Sequence, residues 1–320
     1  MSMVLSSRLG LGSLLIASLL LSACGPAGQT VPREASSPRL RFPVVYSDLD
    51  GTALDPANRV RPETLAALEA FRRCGGRFGI ATGRSSEGAE ATRAALRPDL
   101  PFIVMNGALT LTPDAKTALA VRPLSAEAVR RFLGAAQGLD GIEGIVVGFS
   151  HRMVQDRALP MLDGYFGEFD KRERKVCAAP ACDFSRESLP AEEQALKILV
   201  VSTRAKAETV RSRLEVALGG EALAYLASPE DATIDIVPLR VNKGMAIAAA
   251  LAPLGIAMAD VLAFGDGDND LEMLGQVGLG VAMGNGVPGA KAAALVIGGS
   301  HDTDAIARVL RRVAMTPACQ

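Results

Sequence analysis

Four apolar runs in this chain end alike, and that shared ending limits the fold more than any other feature. Val44 to Ser47 runs into Asp48, Leu49, Asp50 and Gly51; Arg77 to Ala81 runs into Thr82-Gly83-Arg84; Pro101 to Met105 into Asn106-Gly107; and Val261 to Phe264 into Gly265-Asp266. Short apolar runs bounded by Gly and polar residues read as buried strands. Helical segments lie between them. Pro62 to Arg73 has Pro62 near its start, Leu65, Leu68 and Phe71 on one face, and Gly75-Gly76 to stop it. Lys243 opens another helix, MAIAAALAPLG, and Leu279 to Met283 adds a further short strand. Strands alternating with helices predict an α/β fold, a doubly wound, Rossmann-like parallel sheet with helices on both faces. In such sheets ligands bind beyond the carboxyl ends of the strands, where all the unusual residues lie.

The stretch from about 125 to 230 has a different texture. It holds a helical segment at Ala126 to Ala136, an apolar run IVVGF at 145 to 149, and a charged stretch EFDKRERK at 168 to 175 that reads as a solvated face. LKILVVST at 196 to 203 is a strand, and a helix follows from about Ala205 to Leu218. This predicts an α+β domain over 125–230, inserted into a core domain formed by 42–124 and 231–314.

Residues 1–24 look like an export signal. A single Arg8 precedes an apolar run from Leu9 to Leu21, and Leu21-Ser22-Ala23-Cys24 resembles the bacterial lipobox, whose Cys becomes the lipidated first residue. Residues 25–41, rich in Pro, Gly and Ser, read as a flexible tether. The expectation is a protein of the cell envelope, lipid-anchored through Cys24 on the extracytoplasmic side; a misassigned start would instead leave it cytoplasmic. Cys74, Cys177, Cys182 and Cys319 remain and allow three pairings. Cys177 and Cys182 flank AAPA and could close a disulfide outside the cytoplasm, or stay two thiols.

Composition excludes more than it assigns. Lys+Arg number 34 against 35 Asp+Glu, a net charge of -1, so there is no electrostatic footprint for nucleic acid. Trp is absent and aromatics are 4%, which removes stacking platforms for bases. No protein partner is indicated. His151 and His301 are the only histidines and neither falls in a motif, which disfavours a Ser-His or Cys-His mechanism.

In a parallel sheet the strand ends converge on one edge, so Asp48, Asp50, Asp266 and Asp270 would meet there. Four carboxylates cannot all stay ionised and unpaired, because burying like charges is costly. A hard divalent cation, Mg²⁺, removes the conflict with carboxylate, water and phosphate oxygens. A hydroxyl, a lysine and the N–H groups of Gly-rich turns suit a phosphoryl group.

DLDGT (48–52), ATGR (81–84), NKG (242–244) and GDGDNDLEML (265–274) together resemble the haloacid dehalogenase superfamily of phosphohydrolases. More narrowly the chain is similar to the Cof-type subfamily, which carries a large α+β cap between the second and third motifs. MNGA at 105–108, GLGVAMGN at 278–285 and KILVV at 197–201 fit that subfamily, and the resemblance covers roughly residues 43 to 312. It implies Asp48 as the nucleophile that forms an aspartyl-phosphate. It implies Asp50 as the acid and then base, ligating metal through its backbone carbonyl. Thr82 and the Gly83 amide would hold phosphoryl oxygens, with Asn269 touching the phosphate. Lys243 would neutralise negative charge. Asp266 would bind Mg²⁺ directly, and Asp270 through a water or by orienting Lys243. The implied activity is a Mg²⁺-dependent phosphatase for a small phosphorylated metabolite, with sugar phosphates the leading class. A phosphotransferase or mutase of the same fold, a sucrose- or trehalose-phosphate phosphatase, and a non-catalytic lipoprotein that binds a phosphorylated ligand are the alternatives.

Overall fold

A computed structural model describes residues 40–150, 153–157, 194–228, 232–316 and 319, and the backbone of 175–176. The signal-like segment with Cys24, most of the tether, His151, most of the charged stretch, Cys177 and Cys182 lie outside the described residues. Among the described residues, no helix is long and apolar enough to cross a membrane.

In chain order the strands and helices are β1 (Val44–Ser47), α1 (Pro62–Arg73), β2 (Arg77–Ile80), α2 (Glu90–Leu96), β3 (Phe102–Val104), β4 (Leu109–Leu111), β5 (Ala118–Val121), α3 (Ala126–Ala136), β6 (Ile142–Gly148), β7 (Met153–Gln155), β8 (Lys175–Val176), β9 (Lys197–Ser202), α4 (Ala207–Leu218), β10 (Ala222–Ser228), β11 (Thr233–Pro238), α5 (Lys243–Leu251), β12 (Val261–Gly265), α6 (Leu271–Gln276), β13 (Leu279–Ala282), α7 (Pro288–Ala293), β14 (Val296–Ile297) and α8 (Ala305–Val309). The first sheet is five-stranded and parallel, in the order β14-β13-β12-β1-β2. Its strands alternate between two buried faces. Val45, Leu262 and Phe264 pack with Leu68 and Phe71 of α1 and Ile306 of α8, whereas Val44, Tyr46, Val261 and Ala263 pack with Ile247 and Leu251 of α5 and Met273 of α6. Helices on both faces explain why these strands carry consecutive apolar residues rather than alternate ones.

The run at Pro101 to Met105 forms β3, which lies parallel to β2 through a bridge from Ala81 to Ile103, as expected, and also pairs antiparallel with β4 in a three-stranded sheet β3-β4-β5. The apolar pattern marks the buried strand; the antiparallel partner on its other side is not encoded in it.

The second large sheet has six strands in the order β10-β11-β9-β6-β7-β8, antiparallel apart from the β7–β8 pair. One face, with Ile145, Val147, Ile198, Val200, Ile234 and Ile236, is covered by Phe132 of α3 and Val210 and Leu214 of α4. The alternate residues Val146, Met153, Leu199 and Val201 form a smaller apolar cluster on the other face. In chain order the last strand of this sheet is β11, which ends at Pro238. Cys74 and Cys319 are paired in a disulfide with a Cα–Cα distance of 5.7 Å.

Candidate active site

The parallel register brings the motifs together. Ser47 lies beside Phe264 on one side and Ile80 on the other, so Asp48, Gly265-Asp266 and Ala81-Thr82 leave the sheet at one edge. The Asp48 N–H donates to the Phe264 carbonyl at 3.0 Å, and the Ala81 N–H donates to the Ser47 carbonyl at 3.0 Å. Beyond Asp48 the chain turns sharply through Gly51, whose φ is +68°. A Cβ at Gly51 would lie 2.1 Å from Asp266 Oδ2, so this turn needs glycine both for its conformation and for the room it leaves a carboxylate.

Lys243 is the first residue of α5 and is fully buried. The Asn242 side chain caps that helix by accepting from the Met245 N–H at 2.7 Å. Lys243 Nζ lies 2.9 Å from Asp48 Oδ1 and 2.7 Å from Asp270 Oδ1. The other oxygen of Asp270 accepts from the N–H groups of Asp266 and Gly267 at 2.8 and 3.0 Å. Asp270 thus orients Lys243 and shapes the loop that carries Asp266. Thr52 Oγ1 donates to Asp266 Oδ1 at 2.6 Å, and Asn285 Nδ2 donates to the Gly51 carbonyl at 2.8 Å.

Three of the four expected carboxylates converge. Asp48, Asp266 and Asp270 each offer an oxygen within 4.8 Å of the others. Burial pushes the Asp48 carboxyl well above its usual range; Lys243 opposes this, and the charges of Asp270, Asp266 and Asp50 add to it. Burial and then the Asp270 charge push Asp266 up to about 6. Burial also works against the charge on Lys243, but Asp270 and Asp48 together outweigh it and raise its pKa. One ammonium among three close carboxylates, two buried and one half-buried, leaves excess negative charge in an all-oxygen donor set. That fits a hard divalent cation such as Mg²⁺.

The Asp50 side chain is set apart. Arg84 Nε and Nη2 grip its two oxygens at 2.8 and 2.5 Å. Thr82 is buried, and its Oγ1 accepts from the Arg84 N–H at 3.1 Å. Gly83 packs beside Asn106 and Asn269; an added Cβ would lie 3.0 Å from Asn106 Oδ1. Asn269 Nδ2 donates to that same Oδ1 at 2.9 Å, and Asn106 Nδ2 donates to Asp235 Oδ2 at 2.9 Å. Asn106 has φ +56° and ψ +25°, the left-handed turn conformation its side chain tolerates. His301, outside the motifs as expected, is tied to the loop after β1 through a ring contact to the Leu54 carbonyl at 2.8 Å.

The sequence did not point to Asp235, and left Thr52, Arg84, Asn106, Lys197 and Asn285, all inside quoted motifs, without a role. Lys197 and Asp235 did carry a signal: each is a charge inside an otherwise apolar strand, and a buried charge must find a partner. Lys197 Nζ lies 2.6 Å from Asp235 Oδ2, with both side chains buried.

A doubly wound parallel sheet with a lysine-bridged carboxylate cluster at its strand ends, and a second, α+β layer placed against that edge, defines a class of hydrolytic enzymes. The chain belongs to the haloacid dehalogenase-like hydrolase family, which it matches over residues 45–310. It is 28% identical over 283 residues to the pyridoxal phosphate phosphatase YbhA of Escherichia coli strain K12, covering 83% of this chain and 97% of that protein. It is 26% identical over 294 residues to the chloroplastic endoribonuclease YBEY of Arabidopsis thaliana, covering 86% of this chain but only 47% of that longer protein. Among solved structures, the subclass IIB sugar phosphatase BT4131 superposes with a TM-score of 0.68 at 23% identity, over 84% of this chain and 97% of that one.

Proposed function

We propose that the protein is a Mg²⁺-dependent phosphatase that hydrolyses a small phosphorylated metabolite, of the sugar-phosphate type, through an aspartyl-phosphate on Asp48. The observation that carries this reading is the buried Lys243 ammonium held between Asp48 and Asp270 at the strand ends. A group placed there serves an anion that must approach a carboxylate nucleophile. The E. coli relative is named for pyridoxal phosphate and the structural neighbour for sugars, both small phosphate esters.

Asp48 attacks phosphorus and the ester P–O bond breaks. Lys243 holds Asp48 in place and offsets charge on the phosphoryl oxygens, while the Thr82 hydroxyl and the Gly83 N–H donate hydrogen bonds to those oxygens. Asp50 gives a proton to the departing alcohol, which requires the Arg84 grip on its carboxylate to open. Asp50 then takes a proton from water; the water oxygen attacks phosphorus, the bond to Asp48 breaks, and phosphate leaves. Asp48 and Asp266, with Asp270 behind them and the Asp50 carbonyl, would hold Mg²⁺, which supplies neutralising charge where anions meet. The second sheet acts as a cap that excludes water and reads the leaving group.

The test is phosphate release from a panel of esters by a soluble fragment starting near Val31, with Mg²⁺ or EDTA. Metal-dependent turnover is expected. Folded, Mg²⁺-binding protein that turns over no ester would remove the hydrolase reading. We also propose export and lipidation at Cys24, supported by the signal-like sequence and by the Cys74–Cys319 disulfide. Labelled palmitate should enter the full chain in cells but not Cys24→Ser.

A further inference from the structure

We propose that Lys197, on the second sheet, is a positioning residue that sets the phosphoryl-binding turn Thr82-Gly83-Arg84 and makes turnover depend on that sheet being docked. The inference rests on the phosphatase reading above. Alternation along β9 places Lys197 with Leu199 and Val201, away from the helix-covered face, and Asp235 faces the same way from β11. A buried ion pair on an apolar face is poor at stabilising a fold, because desolvating two charges offsets their attraction. Asp235 Oδ1 has no hydrogen-bond partner among the described residues, so this pair is not even fully satisfied. Its placement calls for a reason other than stability.

That reason is in its reach. Lys197 Nζ donates to the Gly83 carbonyl at 3.0 Å, across from one sheet to the other. The two flanking carbonyls are held from within the first layer: Thr82 O accepts from the Asn106 N–H at 3.0 Å and Arg84 O from the Met105 N–H at 2.9 Å. Gly83 O is the member of the three held from the second sheet. The peptide joining Gly83 to Arg84 is planar, so Lys197 at its oxygen fixes the N–H at its other end, which donates to Thr82 Oγ1. Lys197 therefore sets the Thr82 hydroxyl through one rigid unit, and through the same residue the root of the Arg84 side chain that holds Asp50. Its partner Asp235 holds Asn106, which holds Asn269. One ion pair on the second sheet thus reaches both loops assigned to the phosphoryl group. Gly83 and Met105 from one layer and Val146, Lys197 and Leu199 from the other line a small cleft at this junction.

The experiment compares Lys197→Met, Asp235→Asn and the double variant with the wild-type fragment. It reads kcat and KM on p-nitrophenyl phosphate with Mg²⁺, the Kd for inorganic phosphate by calorimetry, and the urea midpoint. Lys197→Met leaves a buried carboxylate without its cation and is expected to lower the midpoint; the double variant removes that imbalance and restores it. A positioning role predicts that the double variant, though stable, still shows kcat reduced by about tenfold or more and weakened phosphate binding, since misplacing a binding group by a fraction of an ångström is costly. Wild-type kcat and phosphate affinity in the double variant, or in Lys197→Met alone, would overturn the proposal and leave Lys197 a counter-ion. A wild-type fragment that hydrolyses no ester and binds no phosphate would instead remove the phosphatase reading, and this inference with it.

Discussion

At the residue scale, Asp48 carries the sharpest expectation. Asp48→Asn keeps the shape and removes the nucleophile, so turnover should fall by about a thousandfold or more while the urea midpoint holds or rises, because one buried like charge is gone. Turnover near wild type would exclude Asp48 as nucleophile. Gly51→Ala tests the turn. Its positive φ costs about 1 kcal/mol or more in a non-glycine residue, and its Cβ collides with Asp266, so Mg²⁺ affinity measured by calorimetry should drop with stability. The carboxyl of Asp266 gives a pH dependence. Its folded pKa of about 6 lies above the ordinary 3.8. Its stabilising contribution in the metal-free protein is therefore complete below about pH 4 and lost as pH rises through about 6. Asp48 shifts in the same direction. Bound Mg²⁺ favours the ionised forms, so the rise in Tm on adding Mg²⁺ should be larger near pH 7.5 than near pH 5. Equal increments at both pH values would count against these carboxylates as the metal site.

At the element scale, helices with their own end signals were legible. α1 begins at Pro62, and α3 begins after Ser125, whose side chain accepts from the Ala128 N–H at 2.9 Å. Both follow the spans read from sequence because the stop and start signals are local. Strand pairing was less legible. β3 lies where expected, parallel to β2, but its full ladder is an antiparallel one with β4, and β11 falls in the second sheet although its sequence leads directly into NKG. The central strand β12 gives the stability prediction for the sheet. Phe264 is fully buried beside Phe71 and Leu68, so Phe264→Ala should cost about 3–5 kcal/mol in urea unfolding. A loss under 1 kcal/mol would mean the core collapses around the gap.

At the scale of the whole molecule, the Cys74–Cys319 disulfide closes a span of 245 residues, joining the end of α1 to the last described residue. A cross-link across so long a loop restricts the unfolded chain, so Cys74→Ser or added reductant should lower stability by about 2–4 kcal/mol. An unchanged urea midpoint under dithiothreitol would show that the bond contributes nothing to the folded state. The same long-range organisation governs the site, which draws on residues from Asp48 to Asn285 and gains Lys197 and Asp235 from the second sheet.

By itself the sequence determined the strand-and-helix alternation and placed Asp48, Thr82, Lys243, Asp266 and Asp270 at strand ends or a helix start, while its motif resemblance singled them out, with Gly83, as candidates for one site. Periodicity, turn chemistry and motif spelling are all properties of short segments. Only the tertiary structure decided that Asp270 spends its oxygens on Lys243 and two backbone N–H groups, that Arg84 grips Asp50, and that a lysine 114 residues from Gly83 holds its carbonyl. Each of these depends on the distance between groups far apart in the chain. That distance is fixed by sheet register and by the docking of one sheet on another, and no local pattern of residues encodes it.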